Sequence, residues 1–392
     1  MITDRYLLVL NIALCRHQGD YWAEPLWKKD LEAHLVQIAD LSIACPIEDG
    51  PPPDGWRRIV RSGITVYPLP RASRFYYLIA PYLAWTLWRA ISRVTIVHTG
   101  VAGWPFPLGW LAIPIARWQR KFVVTVVESA FWRIPPGVPA PWRAKARASF
   151  SEFVNMMLIR SSDISVFTTH AYRDTLHRGA SDTAHVMPAV WVDDDQVIAP
   201  PQLAEIADAK ETKLLFAGRL SDAKGVRVLL DAVQRSGVPV DIVGDGELRD
   251  VVIQAQREHP TLVRLLDPVA YGPAFSALLD RYAALVVPTI SDEQPRIIFD
   301  AFARGVPVLA SATSGNRQIV DHDGDGLLYA PNDVEALAGI LTDVARDPAR
   351  LRTMGDTALR SMASRTHAAM HAVRADRIAA ALARRSAAAS RR

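Results

Sequence analysis

Two basic side chains follow an apolar segment near the middle of the chain. Residues 214–225 read Leu-Leu-Phe-Ala-Gly-Arg-Leu-Ser-Asp-Ala-Lys-Gly, which predicts a buried strand that runs into a glycine turn. Gly218 and Gly225 let the backbone come close to a ligand. The planar guanidinium of Arg219 and the compact ammonium of Lys224 suit the oxygens of a diphosphate at a strand end of an α/β sheet. A strand followed by a solvated basic turn explains the same residues, so this stretch alone leaves both interpretations open.

A glycine pair follows the next apolar segment. Residues 240–249 read Val-Asp-Ile-Val-Gly-Asp-Gly-Glu-Leu-Arg, a strand with Gly244, Asp245 and Gly246 before a helix start. This pattern suits a backbone wall that contacts a nucleotide, and an ordinary Asp-Gly turn is the alternative.

Two aspartates eight positions apart are the third candidate group. Asp292 lies in an acidic loop, and Asp300 lies about a turn and a half inside a helix that is predicted to open at Pro295 and to end before Gly305. Both carboxylates could face one ligand at the helix N-terminus and accept hydrogen bonds from sugar hydroxyls. In the alternative, Asp292 or Glu293 caps the helix and Asp300 is solvated.

Composition limits the possible classes of protein. With 392 residues, 50% of them hydrophobic, the chain is expected to form about two domains. The net charge of +4 without a long basic block argues against binding to nucleic acid. Cys15 and Cys45 cannot form a disulfide framework, which favours a reducing compartment. The N-terminal apolar run lacks a cleavage site, so a cytoplasmic protein is expected, with the inner face of the membrane as the alternative location.

Two aromatic segments, residues 75–90 and 101–116, are flanked by basic residues. Both are shorter than the roughly 20 residues of a membrane-spanning helix, and prolines interrupt them. Packing helices are therefore expected, and peripheral membrane contact through tryptophan and tyrosine is the alternative.

Apolar runs of strand length alternate with helical patterns along the chain, which predicts an α/β fold with parallel sheets. The predicted strands are 6–14, 41–46, 94–98, 122–127, 164–168, 213–220, 240–243, 263–266, 284–288 and 307–310. A proline-rich stretch at 187–202 predicts a linker, and its three aspartates, 193–195, are read as solvated rather than metal-binding. We predict domains at 1–195 and 196–365, with a C-terminal helix and basic tail at 366–392 that packs back on the first domain.

The order of motifs resembles the C-terminal domain of family 4 retaining nucleotide-sugar glycosyltransferases over residues 212 to about 345. The matching motifs are Gly-Arg-Leu with Lys-Gly at 218–225, Val-Gly-Asp-Gly-Glu-Leu at 243–248, the acidic loop with its helix and Gly-Val-Pro-Val at 305–308, Ser-Gly-Asn-Arg-Gln-Ile-Val at 314–320, and Asp-Gly-Leu-Leu at 325–328. The resemblance implies the GT-B fold, in which two Rossmann-like domains have parallel sheets facing a central cleft. It also implies no divalent metal and no cofactor beside the nucleoside-diphosphate sugar that serves as donor substrate.

The resemblance assigns roles to these residues. Arg219 and Lys224 would clamp the diphosphate, Asp300 would bind the ribose hydroxyls, and Asp292 with the amides of Glu293 and Gln294 would bind the donor sugar. Gly218, Gly244, Asp245, Gly246, Pro295 and Arg296 complete the expected donor site. Acceptor-side candidates near strand ends of the first domain are His17, Asp20, His98 and Glu128.

The chain departs from the family pattern at two places. The paired acids are usually both glutamate, whereas Asp292 and Asp300 are each one methylene shorter, and Val127 stands where the family strand carries a histidine. The resemblance implies a hexosyltransferase-type enzyme that transfers sugar to a glycan or lipid-linked acceptor in polysaccharide or glycolipid synthesis. The departures motivate the alternative of a catalytically weakened scaffold for another transferase. A GT-B epimerase or phosphorylase is a third interpretation.

Overall fold

A computed structural model of the chain describes residues 1–59, 64–70, 76–103, 107–134, 139–178, 181–209, 211–290 and 294–390. The chain divides into two compact units, Met1–Pro188 with Met370–Arg392, and Ala189–Ala369. We call them unit 1 and unit 2. The first change of unit, after residue 188, comes seven residues before the boundary predicted after residue 195.

Unit 1 contains one sheet whose described strands are ordered β10-β9-β8-β7-β1-β4-β2-β3-β5, with β6 also paired to β4. The strands are β1 (Ile2–Val9), β2 (Leu14–His17), β3 (Asp20–Ala23), β4 (Ile38–Asp49), β5 (Arg57–Arg58), β6 (Thr65–Leu69), β7 (Ile96–Gly100), β8 (Phe122–Val127), β9 (Ile164–Phe167) and β10 (Ala184–Val186). The pairs of β1 with β4 and β7, and of β7 with β8, are parallel. The carboxyl ends of β1, β7 and β8 therefore lie together at one edge.

Helices cover the sheet of unit 1. They are α1 (Pro25–Gln37), α2 (Ala80–Ser92), α3 (Gly109–Trp118), α4 (Trp142–Ser161) and α5 (His170–Leu176), and the C-terminal α14 (His367–Ser390) continues into this unit. Side chains along β1 point alternately to the two faces of the sheet, so the core of unit 1 has two parts. Leu7 and Val9 pack with α2 and α3, whereas Tyr6 and Leu8 pack in a second cluster with Ile378 of α14.

Unit 2 contains a parallel sheet whose described strands are ordered β13-β12-β11-β14-β15-β16. The strands are β11 (Glu211–Ala217), β12 (Val240–Val243), β13 (Val263–Leu266), β14 (Tyr282–Val287), β15 (Val308–Ser311) and β16 (Gly326–Tyr329). The helices are α6 (Pro200–Ala209), α7 (Val226–Ser236), α8 (Arg249–Glu258), α9 (Pro273–Leu279), α10 (Ile297–Ala303), α11 (Ser314–Ile319), α12 (Val334–Arg346) and α13 (Pro348–Ser361).

Burial on both faces explains why the strands of unit 2 are mostly apolar. Leu214 and Phe216 of β11 face a cluster with α7 and α12, and Leu215 between them faces a cluster with α10. Each fully buried side chain of this size contributes roughly 1.5–3 kcal/mol relative to exposure. The strand order reverses direction beside β11, because its neighbours are β12 on one side and β14 on the other. Ligands of parallel α/β sheets bind at the carboxyl ends of strands at such a position.

The predicted α/β class with two parallel-sheet domains is confirmed, and three strands, 122–127, 240–243 and 263–266, have the predicted bounds. The predicted strand 6–14 is divided, since β1 ends at Val9 and β2 begins at Leu14. The helix expected to open at Pro295 begins at Ile297. No helix in the described part of the chain is long and apolar enough to cross a membrane.

Candidate functional site

A cavity of about 330 Å³ lies at the carboxyl ends of β11, β12 and β13 in unit 2. It is lined by Ala217, Gly218, Arg219, Val243, Gly244, Asp245, Pro268, Val269, Tyr271, Phe275, Ile297 and Asp300. The structure therefore brings together five of the residues selected from the sequence: Gly218, Arg219, Gly244, Asp245 and Asp300. They come from three separate segments of the chain, so their convergence is a property of the fold.

Backbone contact between two loops shapes one wall of this cavity. The amide of Gly218 donates to Val243 O (3.1 Å), and the amide of Leu220 donates to Asp245 O (2.9 Å). A Cβ on Gly244 would lie 1.8 Å from Gly218 O, and Gly244 has φ of +149°. A side chain at this position is therefore excluded by both space and backbone conformation. Gly246 is similar, since its Cβ would lie 2.5 Å from Leu220 O.

A tyrosine also lines this cavity. The hydroxyl of Tyr271 donates to Asp300 Oδ1 at 3.0 Å, and the Tyr271 ring stacks on Phe275 with centroids 6.3 Å apart. Burial, followed by the charge of Asp300, raises the pKa of Tyr271, so the hydroxyl remains a donor. Sequence reasoning missed Tyr271, although its position in the loop after a predicted strand is a signal that places it at the same sheet edge.

The two predicted cations occupy different positions. Arg219 is exposed in the cavity lining, whereas Lys224 is half-buried in a 3-10 turn, Asp222–Lys224, and lies outside the lining of the described residues. Within this turn, Ala223 O accepts hydrogen bonds from the Thr289 hydroxyl and the Ile290 amide, both at 3.0 Å. The turn that carries Lys224 is thus held against the segment that leads toward the predicted acidic loop.

The start of that loop lies outside the described residues, which include neither Asp292 nor Glu293. Beyond it, the side-chain amide of Gln294 accepts from the Ala189 amide (3.1 Å) and donates to Ala189 O (3.3 Å). Pro295 O accepts from the Ile298 amide at 3.3 Å, in the first turn of α10.

Arg296 lies over the Trp191 ring, 5.3 Å from its centroid. Trp191 in turn stacks on His367, with ring centroids 5.4 Å apart. The side chains of Gln294 and Arg296 therefore hold the segment that opens unit 2, a role that the sequence did not indicate. The aspartates of the predicted linker belong to the same segment, where Asp193 caps a short 3-10 helix, Asp194–Gln196.

A second cavity, of about 240 Å³, lies in unit 1 at the carboxyl ends of β1, β7 and β8. His98 and Glu128, two acceptor-side candidates, line it together with Asn11 and Thr99. His98 Nδ1 lies 2.8 Å from the Tyr6 hydroxyl, and burial lowers the pKa of His98 well below its ordinary value, so the ring is neutral.

The other two acceptor-side candidates lie elsewhere in unit 1. His17 and Asp20 face each other across the β2–β3 hairpin, and Asp20 forms an ion pair with Arg58 at 3.1 Å. Neither residue is part of the cavity lining as described. Val127 is fully buried in the core, whereas its neighbours Val126 and Glu128 line the cavity.

A buried polar network supports the cavity of unit 1. Arg374 Nη2 lies 3.1 Å from His34 Nε2 and 2.8 Å from His371 Nδ1, and His371 Nε2 lies 3.0 Å from Asp30 Oδ1. Arginine only donates, so the ring nitrogen of each histidine that faces Arg374 accepts, and His371 is neutral. Burial lowers the pKa of His371 to about 3, in agreement with this assignment.

The network also contains a group of possible metal ligands, since atoms of Asp30, His34 and His371 lie within 4.8 Å of one another. The guanidinium of Arg374 contacts both histidine rings and so already supplies a positive charge next to this group. Sequence reasoning missed this network, although Asp30 with His34 at i,i+4 and His371 with Arg374 at i,i+3 place each pair on one helix face.

Comparison with known proteins supports the interpretation of unit 2. Residues 211–347 match the family model described as Glycosyl transferases group 1. A glycogen synthase of Mycobacterium tuberculosis is 31% identical over 144 residues, which cover 35% of this chain and 34% of that protein. A D-inositol 3-phosphate glycosyltransferase of Xylanimonas cellulosilytica is 30% identical over 274 residues, 62% of this chain and 61% of that protein. The chain thus spans about a third of the first relative and less than two thirds of the second.

Solved structures match across both units. Anabaena Alr3699/HepE in complex with UDP superposes with a TM-score of 0.68 at 15% identity, over 96% of this chain and 100% of that one. Sucrose-phosphate synthase from Thermosynechococcus elongatus gives a TM-score of 0.67 at 18% identity, over 98% and 100%. These similarities confirm the GT-B fold, and the family match confirms that unit 2 carries a glycosyltransferase domain.

Proposed function

We propose that this protein is a retaining glycosyltransferase that moves a sugar from a nucleoside diphosphate to a glycan or lipid-linked acceptor, in polysaccharide or glycolipid synthesis. The observation that carries the proposal is the cavity of unit 2, where Arg219, Asp300 and the glycine loops meet within the matched domain. The same cavity has an apolar wall of Pro268 and Val269. Few polar groups on an apolar surface are typical of small-molecule sites.

The cavity suits a nucleoside diphosphate in three respects. The Tyr271 and Phe275 rings offer a surface for a base or ribose, and the Asp300 carboxylate accepts hydrogen bonds from ribose hydroxyls. The exposed guanidinium of Arg219 pairs with phosphate oxygens, and Gly218 and Gly244 permit close approach of the backbone. UDP bound in the structurally similar Anabaena protein supports a nucleotide ligand.

Stabilisation of the departing diphosphate accounts for the rate enhancement in this proposal. As the bond between the sugar and the diphosphate breaks, negative charge develops on the leaving phosphate and positive charge on the sugar ring. Arg219, assisted by Lys224 from its fixed turn, offsets the phosphate charge most strongly in the transition state. The donor sugar is assigned to Asp292 and to the amides of Glu293 and Gln294, on the basis of the sequence resemblance. The acceptor hydroxyl attacks from the face that the diphosphate leaves and passes its proton to the departing phosphate oxygen, so the anomeric configuration is retained.

The acceptor is assigned to the cavity of unit 1. Neutral His98 and the exposed Glu128 supply hydrogen-bonding groups at strand ends, and Thr99 adds a hydroxyl. The buried network of Asp30, His371 and Arg374 fixes α1 and α14 beside this cavity. In this proposal no divalent metal is required, because the diphosphate charge is assigned to Arg219 in the cavity lining and to Lys224 in the turn that follows it.

A transfer assay tests the proposal. The full chain is incubated with UDP-, GDP- and ADP-sugars, with EDTA present, and release of the nucleoside diphosphate is measured with and without glycan or lipid-linked acceptors. The proposal predicts release with at least one donor, increased by an acceptor, and an α-linked product from an α-linked donor. Nucleotide binding without any release would instead support the scaffold alternative. An inverted product would contradict the retaining mechanism.

A further inference from the structure

Three helices of unit 1 form one continuous layer over its sheet. Helices α2 and α3 meet where the Gln119 side chain donates to Trp88 O at 3.2 Å. Helices α3 and α4 meet where Trp110 Nε1 donates to Asn155 Oδ1 at 2.7 Å. We call the solvent-exposed side of α2, α3 and α4 the aromatic helix face.

Large apolar side chains on this face are exposed to solvent. Trp85 on α2 is 54% exposed, Trp118 on α3 is 80% exposed, and Phe153 on α4 is 61% exposed. Helix α4 has 20 residues, yet only Asn155 and Ile159 are buried. Phe150, Phe153 and Met157 follow one another at helical spacing on its exposed side. A helix that exposes such a stripe marks a contact surface rather than a solvated surface.

Positive charge surrounds these aromatic side chains. Residues 76–127, which include α2 and α3, contain five arginines and lysines and neither aspartate nor glutamate, in a chain whose overall net charge is only +4. Helix α4 adds Arg143, Lys145 and Arg147 to the same region. Its one acidic residue, Glu152, accepts hydrogen bonds from Trp132 Nε1 at 2.7 Å and from Arg133. Arg117 forms an ion pair with Asp163 at 3.1 Å, so the net positive charge of the face comes from the other basic residues, among them the three named on α4.

Contacts between tryptophan and arginine indicate the kind of surface that this face would meet. The Arg89 guanidinium lies 4.7 Å from the Trp85 centroid, and that of Arg143 lies 5.5 Å from the Trp142 centroid. Tryptophan beside a basic side chain suits the boundary between acyl chains and anionic headgroups, because the ring enters the apolar layer while the cation meets phosphate. A protein interface instead has a core depleted of charge.

We propose that the aromatic helix face binds the surface of an anionic lipid bilayer without crossing it. This inference is independent of the catalytic proposal, because it uses none of the cavity residues. The proposed binding partner of this face is a layer of phospholipid headgroups. Binding to a second copy of the chain or to another protein is the alternative that the experiment distinguishes.

Vesicle co-sedimentation of the full chain tests this inference. The protein should sediment with vesicles that mix phosphatidylcholine and phosphatidylglycerol and remain in solution with phosphatidylcholine alone. Binding should weaken as salt rises, because screening shortens the range of surface charge. The variant R143E/K145E/R147E should partition roughly 100-fold more weakly, since each basic residue near an anionic surface contributes about a factor of five. The variant W85S/F153S should lose the binding that persists in salt.

Three exposed arginines of unit 2 supply a charge-matched control. The variant R257E/R281E/R346E changes net charge by the same amount and should bind vesicles as the parent protein does. Equal weakening by this control, or no sedimentation of the parent protein with the anionic vesicles at low salt, would overturn the inference. Self-association that W85S/F153S abolishes, without vesicle binding by the parent protein, would assign the face to a second copy. The salt titration uses only the parent protein, so it still tests binding to anionic vesicles if a variant fails to fold.

Discussion

The hydroxyl of Tyr271 lies 3.0 Å from Oδ1 of Asp300, and this hydrogen bond joins the loop after β13 to helix α10 in the cavity of unit 2. The contact orients the carboxylate that we assign to the ribose hydroxyls. It also places an aromatic ring beside that carboxylate, so one side chain contributes both orientation and apolar surface.

Two substitutions separate these contributions of Tyr271. Tyr271→Phe removes one hydrogen bond and should weaken nucleoside-diphosphate binding by about 0.5–1.5 kcal/mol. Tyr271→Ala removes the ring as well and should cost roughly 1–3 kcal/mol more, as for loss of a stacked base. Isothermal titration calorimetry measures both, with exposed Tyr82→Phe in unit 1 as the control. Identical affinities for the Phe and Ala variants would show that no base or ribose contacts the ring.

Arg219 should matter more for turnover than for donor binding. Arg219→Ala should lose about 2–4 kcal/mol of transition-state stabilisation, as for removal of one preorganised donor. The measurement is kcat with the active donor, and the exposed Arg257→Ala variant of unit 2 is the control. Unchanged kcat in Arg219→Ala would contradict the assignment of Arg219 to the diphosphate.

Gly244 tests the backbone contact between the two glycine loops. Gly244→Ala places a Cβ 1.8 Å from Gly218 O at a φ of +149°, so the loops must separate. We expect a loss of about 1–3 kcal/mol in the free energy of unfolding, as for overpacking elsewhere, and weaker nucleotide binding. Gly339→Ala in helix α12, where a Cβ meets nothing within 4 Å, should be neutral or stabilising. Urea denaturation compares the two, and a Gly244→Ala variant as stable as the parent would refute the predicted clash.

The buried carboxyl of Asp325 should make the free energy of unfolding depend on pH. Burial raises the pKa of its carboxyl to about 6, above the unfolded value of about 3.9. Its contribution to stability is therefore fully present below about pH 4 and is lost as the pH rises through 6. Between pH 4 and pH 7 the parent protein should lose roughly 2–3 kcal/mol relative to Asp325→Asn. Chemical denaturation at each pH measures this difference, and parallel pH profiles would contradict it.

Much of unit 2 was predictable because buried parallel strands are short, mostly apolar segments that can be recognised in the sequence. Short, mostly apolar runs gave β12 and β13 their bounds, and the family resemblance assigned Arg219 and Asp300 to one ligand, in agreement with their common place in the cavity lining. A Cβ at Gly244 or Gly246 would clash with the neighbouring loop, so the spacing of these two glycines also predicted a close backbone contact.

Contacts that depend on loop conformation or on distant segments could not be predicted. The β2–β3 hairpin has strands of only four residues each, and both contain charged or polar side chains, so no long run of apolar residues marks it. Tyr271 reaches Asp300 only through the path of a loop. Arg374 meets His34 across 340 positions in the sequence, and no local pattern reports such a contact.

The central claim is that the cavity of unit 2 binds the nucleoside diphosphate of a sugar donor, and calorimetric titration tests it most directly. UDP, GDP and ADP are titrated into the parent protein and into Asp300→Asn. The account predicts that at least one of them binds the parent protein and binds Asp300→Asn at least several-fold more weakly, since a hydrogen bond to a charged group contributes about 1.5–3 kcal/mol. Absence of binding by all three, or equal affinity for the two proteins, would contradict it.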